Sequence, residues 1–289
     1  MKLASILRPD GSAALAAVTM RGGQPEGFLD LTARLPGAPD LRALLARPDG
    51  LDAARAVVEP SVDYALADVQ FLPVSPEPRK ILCVGVNYSA HLLETGRPRP
   101  ERPMIFVRFA DSQVGHEAPL VRPSASEKFD FEGELAVVIG SPAHRLRPDQ
   151  TPACVAGYAI YNDASVRDWQ RHTSQFTPGK NFPGTGAFGP WMTTTDEMGA
   201  IGPQRLETRL NGAKMQDATL DDLVFDVPAL IAYCSAFTRL DPGDVIVTGT
   251  PGGVGAFREP PVWLKPGDMV EVEIDGLGML RNRVVAEVE

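Results

Sequence analysis

Asp130-Phe131-Glu132-Gly133-Glu134-Leu135-Ala136-Val137-Val138-Ile139 decides how the rest of the chain is read. Its second half is apolar at every position, the pattern of a strand buried on both faces, and its first half sets two glutamates two residues apart. Strand periodicity sends Glu132 and Glu134 to one face. Two buried like charges a few ångströms apart do not both stay ionised without a counter-charge. For an all-oxygen donor set, a hard divalent cation supplies it. The competing reading is an edge strand with solvated glutamates. The apolar continuation weighs against it, because Glu is rarely buried unpaired.

The chain is long enough, at 289 residues, for one large domain or two ordinary ones, and 44% hydrophobic with 22% charged residues is ordinary for a globular protein. A formal net charge of −9, with no Lys/Arg run, argues against nucleic acid and against anionic membrane surfaces as partners. Cys83, Cys154 and Cys234 are odd in number and sit in apolar segments, as reduced core thiols do. The first residues form no secretory signal and no apolar run reaches membrane-span length, so a cytoplasmic protein is expected.

Residues 1–75 read as a small variable N-terminal domain, with strands over 14–19 and 27–30 and a helix over 41–55. The stretch Phe71-Leu72-Pro73-Val74-Ser75-Pro76-Glu77-Pro78 then reads as an extended linker into a second unit, 76–289. That unit is strand-rich: strands are expected over 81–86, 104–109, 131–140 and 155–162, and helices over 88–95 and 226–235. The turn-strand units 241–247 and 265–272 are a recurring turn and not a repeat architecture.

A third acidic candidate is Asp163, at the end of the apolar strand before a helix expected near Ser165. Alone it would read as an N-cap. Beside Glu132 and Glu134 it completes half of an octahedral Mg²⁺ or Mn²⁺ shell, and the lack of a His/Cys cluster argues against zinc. Arg167 and Gln170 follow Asp163 at helical spacings that would let them share its face and grip an anionic substrate. His91 and Glu94 are spaced so that a carboxylate can orient an imidazole, the form of a general-base dyad or of a plain surface pair. Two Gly-rich loops, 177–182 with Lys180 and 247–255 with Thr250, offer a cation, a hydroxyl and backbone N–H groups for an oxyanion. Gly184-Thr185-Gly186-Ala187-Phe188-Gly189 matches the dinucleotide fingerprint formally, but its neighbours include Pro183 and Pro190 and give neither the preceding strand nor the following helix.

Taken together, the segment 85–96 with its His and Glu, Asp130-Phe131-Glu132-Gly133-Glu134, Asn162-Asp163-x-Ser165-x-Arg167-Asp168-x-Gln170, Gly179-Lys180 and Thr248-Gly249-Thr250-Pro251-x-Gly253-Val254-Gly255 closely resemble the fumarylacetoacetate hydrolase family. The resemblance runs from Ile81 to the C-terminus. It implies an α+β, β-rich fold, a mixed β-sandwich roll with a small N-terminal domain, and a homodimer binding Mg²⁺, Mn²⁺ or Ca²⁺. It further implies Glu132, Glu134 and Asp163 as ligands, His91 as base oriented by Glu94 on a mobile lid, Lys180 and Thr250 as substrate and oxyanion contacts, and Arg167 and Gln170 as polar pocket residues. Departures at Arg108, in 112–117 and in Arg171-His172-Thr173-Ser174-Gln175 leave the substrate open. The expected activity is metal-dependent hydrolysis of a C–C bond in an acylpyruvate, 2-oxo acid or 1,3-diketone. The alternative is a decarboxylase of oxaloacetate or another 2-oxo acid, or a 2-oxo acid hydratase or isomerase, on the same site. Hydrolysis is preferred because the His91–Glu94 pair can activate water. A nicotinamide oxidoreductase and a non-catalytic binding protein are the disfavoured classes.

Overall fold

The computed structural model describes residues 1–96 and 98–288. The first 75 residues supply β1 (Lys2–Leu7), β2 (Ala13–Arg21), β3 (Gln24–Asp30), helices α1 (Leu31–Arg34), α2 (Leu41–Ala46) and α3 (Gly50–Val57), β4 (Tyr64–Ala65) and β5 (Gln70–Phe71). Next come β6 (Ile81–Gly85), α4 (Ser89–Thr95), β7 (Met104–Arg108), β8 (Gln113–Val114), β9 (Leu120–Arg122), β10 (Phe129–Asp130), β11 (Gly133–Ile139), β12 (Val155–Asn162) and β13 (Ser165–Val166). The remainder holds α5 (Arg167–Gln170), α6 (Thr177–Lys180), β14 (Gly186–Thr194), α7 (Thr195–Met198), β15 (Arg205–Leu210), β16 (Ala213–Thr219), α8 (Val227–Phe237), β17 (Val245–Val247), β18 (Met269–Ile274) and β19 (Gly278–Ala286).

A twelve-stranded mixed sheet runs β4-β3-β2-β1-β14-β12-β11-β17-β6-β7, with β5 on β1 and β8 on β14. A second sheet of five strands runs β16-β15-β18-β19-β9, and β10 pairs with β13 alone. The chain is therefore α+β and strand-rich, as expected. β11 shows why its run is apolar throughout. Leu135, Val137 and Ile139 belong to the core shared with Leu206, Val272 and Leu280 of the second sheet. Ala136 and Val138 belong to the opposite core, with Leu41, Leu44 and Leu45 of α2. Each buried Leu, Val or Ile here contributes roughly 1.5–3 kcal/mol, so a charge placed at Val137 would disrupt the inter-sheet core.

The helix expected over 41–55 is two helices. Arg47 precedes Pro48 and takes an extended conformation (φ −78°, ψ 137°), which ends α2. Residues 71–78 are not the extended free linker expected: β5 ends at Phe71 and residues 74–77 bend, tied to the sheet. Leu72 N–H donates to Ser5 O (2.9 Å), Val74 N–H to Phe188 O (3.3 Å) and Ser75 Oγ to Gly243 O (3.1 Å). The large sheet also crosses residue 75, because β1 lies between β2 and β14. The three cysteines are free and buried. Among the described residues no helix is long and apolar enough to cross a membrane.

Candidate active site

The site lies at the end of the large sheet where the C-terminal ends of β6, β12 and β17 meet the start of β11. One pocket there is lined by eight of the nine residues singled out from the sequence: His91, Glu132, Glu134, Asp163, Arg167, Gln170, Lys180 and Thr250. Glu94 stands behind His91. Its Oε2 lies 2.7 Å from His91 Nδ1, and its Oε1 accepts from Gly253 N–H (3.0 Å). The imidazole is thereby held with Nε2 as its unengaged nitrogen.

The carboxylates converge by a route that differs from the expected one. Glu132 is not on a continuous strand over 131–140: β10 ends at Asp130, turns aside to pair with β13, and β11 begins only at Gly133. The break is pinned by Glu132 N–H to Asn162 Oδ1 (3.0 Å), Gly133 N–H to Gln216 Oε1 (3.0 Å) and Asp163 N–H to Glu132 O (2.9 Å). Nor does Asp163 share a helix with Arg167 and Gln170. β13 intervenes, and α5 has only four residues, so Arg167 reaches the site from the turn after β13. Oxygens of Glu132, Glu134 and Asp163 nevertheless all lie within 4.8 Å of one another, and all three residues are buried.

Three cations surround this triad. Lys180 Nζ donates to Glu132 Oε2 and to Asp163 Oδ2, each at 2.5 Å. Arg108 Nη1 donates to Asp163 Oδ1 (2.7 Å). Arg167 Nε donates to Asp130 Oδ2 (2.8 Å), while its Nη2 makes an ion-pair contact with Glu132 Oε1 (2.8 Å) outside hydrogen-bond geometry. Close backbone approach makes the Lys180 arrangement fit. A Cβ on Gly179 would lie 2.3 Å from Gln170 N, so only glycine lets α6 sit against α5.

The electrostatics separate the two glutamates. Burial would raise the Glu132 carboxyl, but Arg167 and Lys180 outweigh it and hold it down at about 2. Burial, reinforced by Asp163 and Glu132, pushes Glu134 well above the usual carboxylate range. Its Oε2 accepts from Gly249 N–H (2.5 Å), and no basic side chain among the described residues pairs with it. An uncompensated buried carboxylate within a three-carboxylate oxygen set fits a hard divalent cation. Glu94 shows the opposite balance: burial raises it, yet hydrogen bonds from His91 and Gly253 hold it below its ordinary value.

The loop 247–255 corrects a second expectation. Its N–H groups are not free for an oxyanion at three positions, because Gly249, Gly253 and Gly255 donate to Glu134, Glu94 and Asp130. The loop orders the site's own carboxylates instead. Thr250 Oγ1 donates to Gly133 O (2.9 Å) and accepts from Gln216 Nε2 (2.7 Å), so its hydroxyl proton is committed too. The segment 112–117 divides: Ser112 Oγ accepts from Arg108 Nε (3.2 Å) behind the site, whereas His116 packs edge-on against Phe71 (4.8 Å) and lines a separate cavity with Trp191. Gly186 of the rejected fingerprint opens β14, and a Cβ there would lie 2.7 Å from the Arg108 guanidinium.

Sequence reasoning missed several contributors. Asp130 anchors Arg167 and accepts from Gly255 and Ala256 N–H (2.8 and 2.9 Å). Arg108, noted only as a departure, pairs directly with Asp163 from 55 residues away. A lone basic residue ending the apolar strand Met104–Arg108 was the available signal. Val86 sits at φ +41°, a strained conformation for a β-branched residue, just before Asn87, whose side chain bonds Phe225 O (3.0 Å), Thr248 O (2.8 Å) and Phe225 N–H (2.8 Å). That clamp sets the start of α4 and hence His91.

Known proteins share this arrangement of chain. The sequence profile described as "Fumarylacetoacetate (FAA) hydrolase C-terminal" matches residues 80–285. A mitochondrial oxaloacetate tautomerase of Xenopus laevis is 38% identical over 263 residues, covering 89% of this chain and 82% of that protein. The fumarylacetoacetate hydrolase of Exiguobacterium antarcticum superposes with a TM-score of 0.83 at 33% identity, covering 99% of this chain and 100% of that one. The maleylpyruvate hydrolase of Sphingobium sp. SYK-6, solved with manganese(II) and pyruvate, superposes with a TM-score of 0.82 at 28% identity over 100% of both chains.

Proposed function

The chain belongs to the fumarylacetoacetate hydrolase family, and on that premise we propose that it is a divalent-metal-dependent tautomerase of a 2-oxo acid of the oxaloacetate type. The observation that carries the reading is the single pocket that sets a His–Glu dyad beside a buried three-carboxylate cluster. Glu132, Glu134 and Asp163 would hold Mg²⁺ or Mn²⁺, which supplies Lewis-acid counter-charge to a chelating 2-oxo carboxylate. His91 Nε2 takes the C3 proton of the keto form, and the electron pair of that C–H bond moves into a C2=C3 double bond, leaving the charge on the C2 oxygen. Lys180, its N–H groups spent on Glu132 and Asp163, stabilises that oxygen through its charge alone, and returning a proton to the oxygen completes the enol. Glu94 keeps the imidazole in the tautomer with a basic Nε2.

The dyad was the ground for preferring hydrolysis, but it does not discriminate: abstracting a C–H proton needs a base as much as activating water does. The oxaloacetate tautomerase named among the relatives therefore tips the reading to the isomerase-type alternative. Hydrolysis of a C–C bond remains the second reading, favoured by two hydrolases among the solved structures. In the same reading the chain acts as a homodimer. β7 ends the large sheet, and Met104, Val107 and Phe109 at and beside it are exposed.

The test follows the enol absorbance of oxaloacetate with Mg²⁺ or Mn²⁺ and after chelation, with products identified by NMR. Metal-dependent acceleration of keto–enol exchange without pyruvate supports the proposal. Pyruvate released from an acylpyruvate, with no acceleration of exchange, makes hydrolysis the better answer. A monomer by light scattering at micromolar concentration removes the dimer.

A further inference from the structure

We infer that Arg171 recognises the second carboxylate of a dicarboxylic 2-oxo acid; the inference rests on the proposed reading and supplies its substrate class. The cations deep in the site are committed. Arg108 pairs with Asp163, Arg167 with Asp130 and Glu132, and Lys180 with Glu132 and Asp163. Arg171 lines the same pocket, yet its side chain makes no hydrogen bond or ion pair among the described residues. Its guanidinium lies over the Phe257 ring (5.8 Å), and Phe257 meets the His91 ring edge-on (5.9 Å). An exposed guanidinium at the pocket mouth is therefore linked to the base through the Phe257 ring, with its N–H groups unused among the described residues. That is the geometry that takes a carboxylate bidentately.

Its backbone is fixed by the turn that carries Arg167 and Gln170, since Arg171 N–H donates to Asp168 O (3.1 Å). Of the cationic side chains that line the pocket, Arg167 and Lys180 are already paired with buried carboxylates, which leaves Arg171 to meet a second substrate carboxylate. The stretch Arg171-His172-Thr173-Ser174-Gln175 thus acquires a role that its sequence did not disclose.

The test compares oxaloacetate with 2-oxobutanoate, which lacks the distal carboxylate, by deuterium exchange at C3 with the Mg²⁺-loaded full chain. In Arg171→Met, which keeps an apolar stem on Phe257, the kcat/KM preference for oxaloacetate should collapse by roughly 10- to 100-fold, mainly through KM. Arg171→Lys, with charge but no fork, should fall between. An unchanged preference, or an equal loss for both acids, overturns the inference. If the wild type exchanges neither acid, the proton-transfer reading fails, and calorimetry then decides the inference alone. Tighter binding of oxaloacetate than of 2-oxobutanoate, equalised in Arg171→Met, upholds it. Equal affinities in the wild type refute it.

Discussion

Two charge networks in this protein use the same residue types at similar distances. On the open face of the second sheet, Arg205 pairs with Asp217 (2.6 Å), Arg209 with Glu207 (2.5 Å) and Glu273 (2.7 Å), and Lys214 with Glu207 (3.2 Å). In the pocket, Lys180, Arg108 and Arg167 meet Asp130, Glu132 and Asp163 at 2.5–2.8 Å. Solvent sets the difference. Pairs on a face open to solvent trade water for a partner at little net gain, and salt screens them. Buried ones cannot fall back on water, so every charge there needs a partner, and Glu134 lacks one. The ladder smooths a surface. The pocket holds an unmet demand, and chemistry is built on it.

The comparison breaks most directly if the unmet demand is not for a cation. Wild-type protein should gain about 2.7 kcal/mol of stability at a free Mn²⁺ concentration one hundred times its Kd, and Glu134→Ala should lose that gain together with activity. Calorimetry showing equal Mn²⁺ binding in both proteins would contradict the assignment.

The next effect in size is kinetic. His91→Ala should lower kcat by roughly 10²–10⁴-fold while leaving Mn²⁺ affinity intact, and Glu94→Gln should move in the same direction. Wild-type turnover in both variants would make the dyad a packing feature.

A smaller effect carries an unusual sign. The folded Glu134 carboxyl is raised above its unfolded value, so the metal-stripped native state binds more protons than the unfolded chain above about pH 4.5, and stability falls as pH rises. Glu134→Gln should therefore stabilise the stripped protein at neutral pH, increasingly so toward higher pH. Glu132 works oppositely: held at about 2, it contributes stability above about pH 4.5 that is lost as pH falls toward 2. Melting curves of stripped wild type and Glu134→Gln from pH 5 to 8 measure this, and parallel curves would sink it.

The smallest effect belongs to the surface. Arg209→Ala should cost at most about 1 kcal/mol, and the cost should shrink in high salt. A larger, salt-insensitive loss by denaturant titration would show that the ladder is not the solvated counterpart of the pocket.

Legibility in the sequence follows the same division between near and far. The run from Leu135 to Ile139 revealed a strand buried on both faces because alternation is a local property. The carboxylates at 132, 134 and 163 were legible because each adjoins such a run. The break at Phe131-Glu132 was not, since it is made by Asn162 and Gln216, which lie 30 and 83 residues from their partners. The roles of Asp130 and Arg108 were hidden for the same reason: an ion pair across 55 residues leaves no periodicity behind. The spent N–H groups of 247–255 could be read only once their acceptors were placed.

The position of β1 bears on how the chain is made. It is held on one side by β2 and on the other by β5 at Ile6 and Leu7 and by β14 at its start, with Lys2 opposite Thr193 and Leu3 opposite Met192. A ribosome adding about 5–20 residues per second delivers β14 roughly 10–40 s after β1. Throughout that interval the start of β1 presents an unpaired backbone edge, and the large sheet can close only late in translation. Chaperone engagement of nascent chains should therefore persist until residue 194 has cleared the exit tunnel, and codon changes that slow synthesis between β5 and β14 should lower soluble yield without altering the finished protein.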